Sequence, residues 1–112
     1  MSDRFRLDIA LYIADAARVH RKVTYGELSA RFGGIPNGWG PVLSAIATRL
    51  HKRGCPLLPV LVVSVDTGLP SVSAAIYRQF GLSSDEALRR EQQRCFDFDW
   101  PAVFFPRQAA VG

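Results

Sequence analysis

Apolar positions recur at helical spacing through the first half of the chain. Phe5, Ile9, Tyr12, Ile13, Ala16 and Ala17 share one face of a helix that Ser2 or Asp3 caps and that runs to about Val19. Leu28 and Phe32 supply the apolar face of a short second helix. Val42, Leu43, Ile46, Ala47 and Leu50 supply that of a longer third helix, which closes on Arg49, His51, Lys52, Arg53 and Gly54. Val23 reads as a brief strand ahead of the second helix. The pattern then changes. Pro56 to Val65 is a continuous apolar, β-branched run and predicts a buried strand. Asp66-Thr67-Gly68 makes a turn and Leu69-Pro70-Ser71-Val72 leads out of it, so that strand and turn form a wing or a small sheet. Ala74 to Phe80 predicts a short helical turn stopped by Gly81. Ser83-Ser84-Asp85-Glu86 opens a last helix from about Ser84 to Cys95, with Arg89, Arg90, Glu91 and Arg94 on a solvated face. Phe96, Phe98 and Trp100 alternate with Asp97 and Asp99, the period of a strand with one apolar and one acidic face. Pro101 ends that strand or holds it at a sheet edge. The aromatic face packs beside Val60–Val65 in the same chain or on a second copy, and Phe104 and Phe105 remain as a partner-facing pair.

Local signals sharpen the middle of this pattern. Thr24 can accept a hydrogen bond from the Glu27 amide while the Glu27 carboxylate reaches back to the Thr24 amide, a reciprocal capping box for the second helix. Gly33-Gly34 supplies a left-handed stop. Pro41 fits only the first turn of the third helix, so Asn37 or Gly40 is its expected cap. Trp39, between two glycines at the mouth of that helix, has two readings: a packed core ring, or a side chain that stacks on or wedges between bases. The expected fold is α+β and winged helix-turn-helix-like, with three N-terminal helices, a small β-sheet and a C-terminal helix with its aromatic strand or tail. One domain spans residues 1–112, with the helical part in 1–56.

Charge adds a direction to the helix-turn-helix. The chain is formally +4 with a pI near 9.6, but the excess is uneven. Residues 1–56 hold nine Lys and Arg against four acids, or +5, and residues 57–112 hold five against six, or −1. The half that carries the two helices is therefore the half suited to a polyanion. Two cysteines are too few for a secreted disulfide scaffold, and no signal peptide or membrane span is visible, which points to a reducing cytoplasm. His51 and Cys55 stand four apart, but Gly54 ends the helix between them and no other pair completes a site. No metal and no cofactor is expected. No catalytic constellation is present either, since Gly33-Gly34 lacks a following Lys-Ser/Thr and no Ser/His/Asp or paired-carboxylate pattern occurs.

The stretch Lys22-Val23-Thr24-Tyr25-Gly26-Glu27-Leu28 through Ile35-Pro36-Asn37 resembles the DNA-binding domain of alkylguanine-DNA alkyltransferases and their alkyltransferase-like relatives, over about residues 4–72. The resemblance implies a winged helix-turn-helix in which Tyr25 matches a tyrosine that helps to rotate a nucleotide out of the duplex. Two departures accompany it. The position of the family's arginine finger falls at or near Gly40. Its reactive Pro-Cys-His-Arg falls near Pro59-Val60-Leu61-Val62, which has neither thiol nor imidazole. Cys55 lies upstream and is followed by Pro56, so alkyl transfer is not expected.

Taken together, these readings predict a non-catalytic protein that binds nucleic acid, duplex DNA first, through Arg21, Lys22, Thr24, Tyr25, Asn37, Trp39, Arg49, Lys52 and Arg53. The alternative is a protein–protein interaction module of phage or mobile-element type, or a homodimer, that uses Trp39 and the aromatic tail with Phe104 and Phe105. Neither reading calls for a membrane or a small-molecule substrate.

Overall fold

Helix α1 (Leu7–Arg18) buries Ile9, Ala10, Ile13, Ala14, Ala16 and Ala17, an apolar stripe in which small alanines let neighbouring segments approach closely. The computed structural model describes residues 6–71 and 74–104, without the side chains of Pro36, Asn37, Ala74, Ala75 and Phe104. Arg6 holds the capping position of α1 without a side-chain cap bond, and Asp8 in the first turn suits the helix dipole and pairs with Arg6 at 2.7 Å. The expected caps Ser2 and Asp3, and Phe5, lie outside the described residues. Beyond Arg18 the chain turns through His20 at φ 58°, and the amides of Val19, His20 and Arg21 return to carbonyls of Ala16 and Ala17.

That turn delivers the chain into β1 (Val23–Thr24) and directly into α2 (Tyr25–Phe32). Thr24 Oγ1 accepts from the Glu27 amide at 3.0 Å, the cap that the sequence predicts. Gly33 at φ 88° and Gly34 at φ 85° stop the helix where a β-carbon would be strained. A 3-10 turn, Pro36–Trp39, then runs straight into α3 (Gly40–Lys52). Trp39, not Asn37 or Gly40, stands at the capping position of α3. It makes no side-chain cap bond there, because the continuous 3-10 turn takes over that task.

The apolar run after Gly54 departs most from expectation. Instead of a long strand it forms a 3-10 turn, Leu58–Leu61, and only a two-residue strand, β2 (Val62–Val63). Pro56 and Pro59 have no amide to give to a ladder, and Pro59 sits in the first positions of the 3-10 turn. β2 pairs in parallel with β1, Val23 opposite Val62 and Thr24 opposite Val63. Ser64 N donates to Leu69 O at 3.0 Å and Gly68 N to Ser64 O at 2.9 Å, which closes the turn, with Gly68 at φ 70°. Among the described residues no third strand returns from it.

After α4 (Ala74–Gln79), whose following turn carries Gly81 at φ 89°, α5 (Asp85–Asp97) crosses the buried coil. Ser84 caps it by accepting from the Ala87 amide at 3.1 Å. The third helical position is therefore Ala87 and not Glu86, so only half of the expected capping box forms. Glu91 does not lie on a solvated face. It is 5% exposed and its Oε2 accepts from Leu57 N at 2.8 Å, while Gln92 Nε2 donates to Val60 O at 3.0 Å and to Gly68 O at 3.1 Å. Arg94 meets the other Glu91 oxygen at 2.7 Å, and Arg89 and Arg90 are exposed as expected.

The aromatic strand is also replaced by helix. Phe96 belongs to α5, and Trp100 opens α6 (Trp100–Phe104), with Pro101 in its first turn, where a missing amide costs no bond. Trp100 is 1% exposed, its Nε1 donates to Cys95 O at 2.8 Å, and its ring lies 4.5 Å from that of Phe98. The class is α+β, mostly helical with a small two-stranded parallel sheet. Buried residues from each of these helices and strands join one hydrophobic cluster. No helix among the described residues is long and apolar enough to cross a membrane.

The buried Glu91–Leu57 bond sets a stability test. Glu91→Ala should cost about 1.5 to 3 kcal/mol, the range for a hydrogen bond to a charged group, and Glu91→Gln, which keeps an acceptor, should cost less. Arg90→Ala, which breaks the exposed Arg90–Glu86 pair, should stay below about 0.5 kcal/mol. Urea denaturation measures all three, and equal losses for Glu91→Ala and Arg90→Ala would refute the assigned role of Glu91.

Candidate nucleic-acid interface

The basic side chains fall into two groups. The first gathers at the junction of α1, β1 and α2. Arg21 NH1 meets both oxygens of Glu27, at 2.8 and 3.1 Å, and the Tyr12 hydroxyl donates to the same carboxylate. Burial alone would raise the Glu27 pKa. The Tyr12 hydroxyl, the Arg21 guanidinium and the Thr24 amide together overcome that effect and hold it below the usual value. The same bond to Glu27 raises the Tyr12 and Arg21 pKa values. Lys22 Nζ donates to Gly68 O at 3.2 Å and so ties this junction to the turn that follows β2. Arg21 is thus already matched to an acid, and Lys22 serves partly as a strut.

The second group closes α3. Lys52 and Arg53 are exposed and make no ion pair among the described residues, while Arg49 is half-buried and engaged. His51 stacks on Phe80 with ring centroids 4.2 Å apart. No hydrogen bond or ion pair among the described residues joins this group to the first.

The remaining predicted contacts have structural duties. The Thr24 hydroxyl is committed to its cap. Tyr25 is 6% exposed, and its hydroxyl accepts from the Ser71 amide at 2.9 Å. Trp39 is equally buried and its Nε1 donates to Ser29 Oγ at 3.0 Å, so of its two readings the structure gives the packed one. This bond fastens the connection between α2 and α3 back onto α2. The side chains of Asn37 and Phe104, and all of Phe105, lie outside the described residues.

Both cysteines are free thiols. Cys55 is half-buried and its Sγ lies 3.9 Å from Arg53 O. Cys95 is buried, and burial pushes its pKa far up. Among the described residues no three His, Cys, Asp or Glu side chains gather to hold a metal ion.

Two features escaped the sequence pattern. Gln92 lies on the stripe Leu88, Gln92, Cys95, whose spacing of four and three is itself a burial signal. A groove of about 660 Å³ is lined by Leu11, Tyr12, Phe32, Trp100 and Pro101, with Arg31 over the Tyr12 and Phe32 rings at 5.8 and 5.7 Å. It joins residues distant in sequence, so no local motif announces it.

Glu27 makes the junction pH-sensitive. A carboxylate with a depressed folded pKa contributes stability that is fully present above its ordinary value of about 4.3 and is lost as pH falls through the lower folded value. The stability difference between the native chain and Glu27→Gln should therefore shrink as pH falls from about 7 to about 3. A difference that stays constant across that range in urea titrations would show that the ionised form of Glu27 gains nothing from its partners. In comparisons with family models, with curated proteins and with solved structures, none matches the chain.

Proposed function

We propose that the chain is a small winged-helix-like protein that binds duplex DNA through its basic half and carries out no chemistry. The observation that carries this reading is the adjacent pair Lys52 and Arg53, exposed at the end of α3 and without a carboxylate partner among the described residues. Unmatched cations on the second helix of a helix-turn-helix suit phosphates, whose condensed counterions are released on contact. The turn Asp66–Gly68, braced by Lys22, supports the reading as a rudimentary wing beside that unit. Two free cysteines fit a reducing cytoplasm.

A second reading, a protein-interaction module, draws support from the groove of about 660 Å³ between α1, α2 and α6. Burial of Trp39 leaves that module without one of its aromatic contacts.

Fluorescence anisotropy with a short labelled duplex at several salt concentrations tests the proposal. Affinity should fall steeply with salt, and joint replacement of Lys52 and Arg53 by Ala should weaken binding and reduce the slope of log K against log salt by about 2. An unchanged slope in the double variant would remove these residues from the interface. No binding at low salt would favour the interaction module.

A further inference from the structure

We propose that the groove between α1, α2 and α6 binds a small molecule with an apolar ring body and a single carboxylate, which Arg31 receives. The site is separate from the basic end of α3 and goes beyond the DNA-binding reading. Helix α1 presents Asp8, Leu11, Tyr12 and Asp15 along one stripe, at the spacing of successive turns. Leu11 and the half-buried rings of Tyr12 and Phe32 form the walls, Pro101 the rim, and the buried Ala14 and Trp100 the floor. The Tyr12 and Phe32 rings meet edge to face with centroids 5.4 Å apart. The Tyr12 hydroxyl is engaged by Glu27, so what these two residues offer the groove is apolar ring surface. A volume of about 660 Å³ suits a compact ring system and lies within the roughly 300–1,000 Å³ usual for small-molecule sites.

Charge defines the other half of the ligand. Asp8, Asp15, Arg18 and Arg31 are the ionic side chains that line the groove. Asp8 is held by Arg6 at 2.7 Å and Asp15 by Arg18 at 2.8 Å, so both acids have their counterions. The Arg31 guanidinium instead lies over the two rings, 5.8 Å from the Tyr12 centroid and 5.7 Å from that of Phe32, and no carboxylate among the described residues pairs with it. Contact with both rings keeps this cation at the apolar wall before any ligand arrives. A planar guanidinium takes a carboxylate through two parallel N–H bonds. One arginine matches one negative charge, and Asp8 and Asp15 in the same groove disfavour a more highly charged anion such as a phosphate ester.

Calorimetric titration of the full chain with naphthoate, and with naphthylmethanol as its neutral counterpart, tests the assignment. Naphthoate should bind saturably with a dissociation constant at or below about 1 mM, and naphthylmethanol about tenfold more weakly. Arg31→Gln should bring the two within about twofold of each other. Leu11→Trp, which fills the groove, should weaken both. Arg31 is exposed, so its replacement leaves the core intact and decides the matter even if the bulkier variant does not fold. Joint replacement of Lys52 and Arg53 by Ala should leave both affinities unchanged. Equal affinities in the native chain, or a preference that survives Arg31→Gln, overturns the inference. Loss of naphthoate binding in the Lys52 and Arg53 variant also overturns it, because the anion then sits at the end of α3. So does the absence of saturable binding below about 10 mM. A native chain that sediments as a dimer, and as a monomer with Leu11→Trp, has the groove covered by a second copy, and the inference fails. Each of these failures leaves the DNA-binding reading to its own titration.

Discussion

A buried stretch of backbone without a sheet to pair with governs this fold. Residues 57–61 lie in the core, two prolines interrupt the amides around them, and only Val62 and Val63 reach a ladder. Buried peptide groups without partners would cost more than their apolar side chains return. Helix α5 resolves this with side chains: Glu91 takes the Leu57 amide and Gln92 serves the Val60 carbonyl. The coil packs against α1, α3 and α5 together, so these two polar residues hold the position on which the N-terminal helices rest.

The same bonds reach the proposed interface. Gly68 O accepts from Gln92 inside the core and from Lys22 at the surface, so a single carbonyl connects the buried network to the basic junction. The two-residue parallel pairing of β1 with β2 adds little energy by itself. It fixes where Thr24 lies, however, and Thr24 starts α2. From there Trp39, bonded to Ser29, fixes the connection that sets α3 against α2. The placement of the basic end of α3 is therefore determined by a chain of hydrogen bonds that begins at Gln92 of α5, 40 residues after Lys52.

That ordering explains what the residues disclosed on their own. Elements bounded by local chemistry were legible: the Thr24 cap, the Gly33-Gly34 stop, the apolar stripes of α1 and α3, and the Ser84 start of α5. Elements decided by distant partners were not. Pro56–Val65 has the composition of a strand, but what its backbone meets is α5, and composition does not encode that. The alternation Phe96, Phe98, Trp100 mimics a strand because α5 happens to end between Phe96 and Phe98, so that two helices share a period-two string across their junction. The charge of Glu91 suggests solvent, although Leu88, Gln92 and Cys95 place its side of the helix against the core.

The candidate site shows the same division more sharply. Lys52 and Arg53 could be chosen from sequence because a helix C-terminus favours cations and their exposure follows from the apolar stripe opposite. Tyr25 and Trp39 are candidates by their chemistry, and chemistry alone does not say whether a ring faces solvent. Here both have polar atoms that find partners within the fold, the Ser71 amide and the Ser29 hydroxyl, and each ring fills core volume. Tyr25, at the start of α2, locks residue 71 to the helix. Both rings are worth more here as packing, since withdrawing either would open the core and orphan its polar partner.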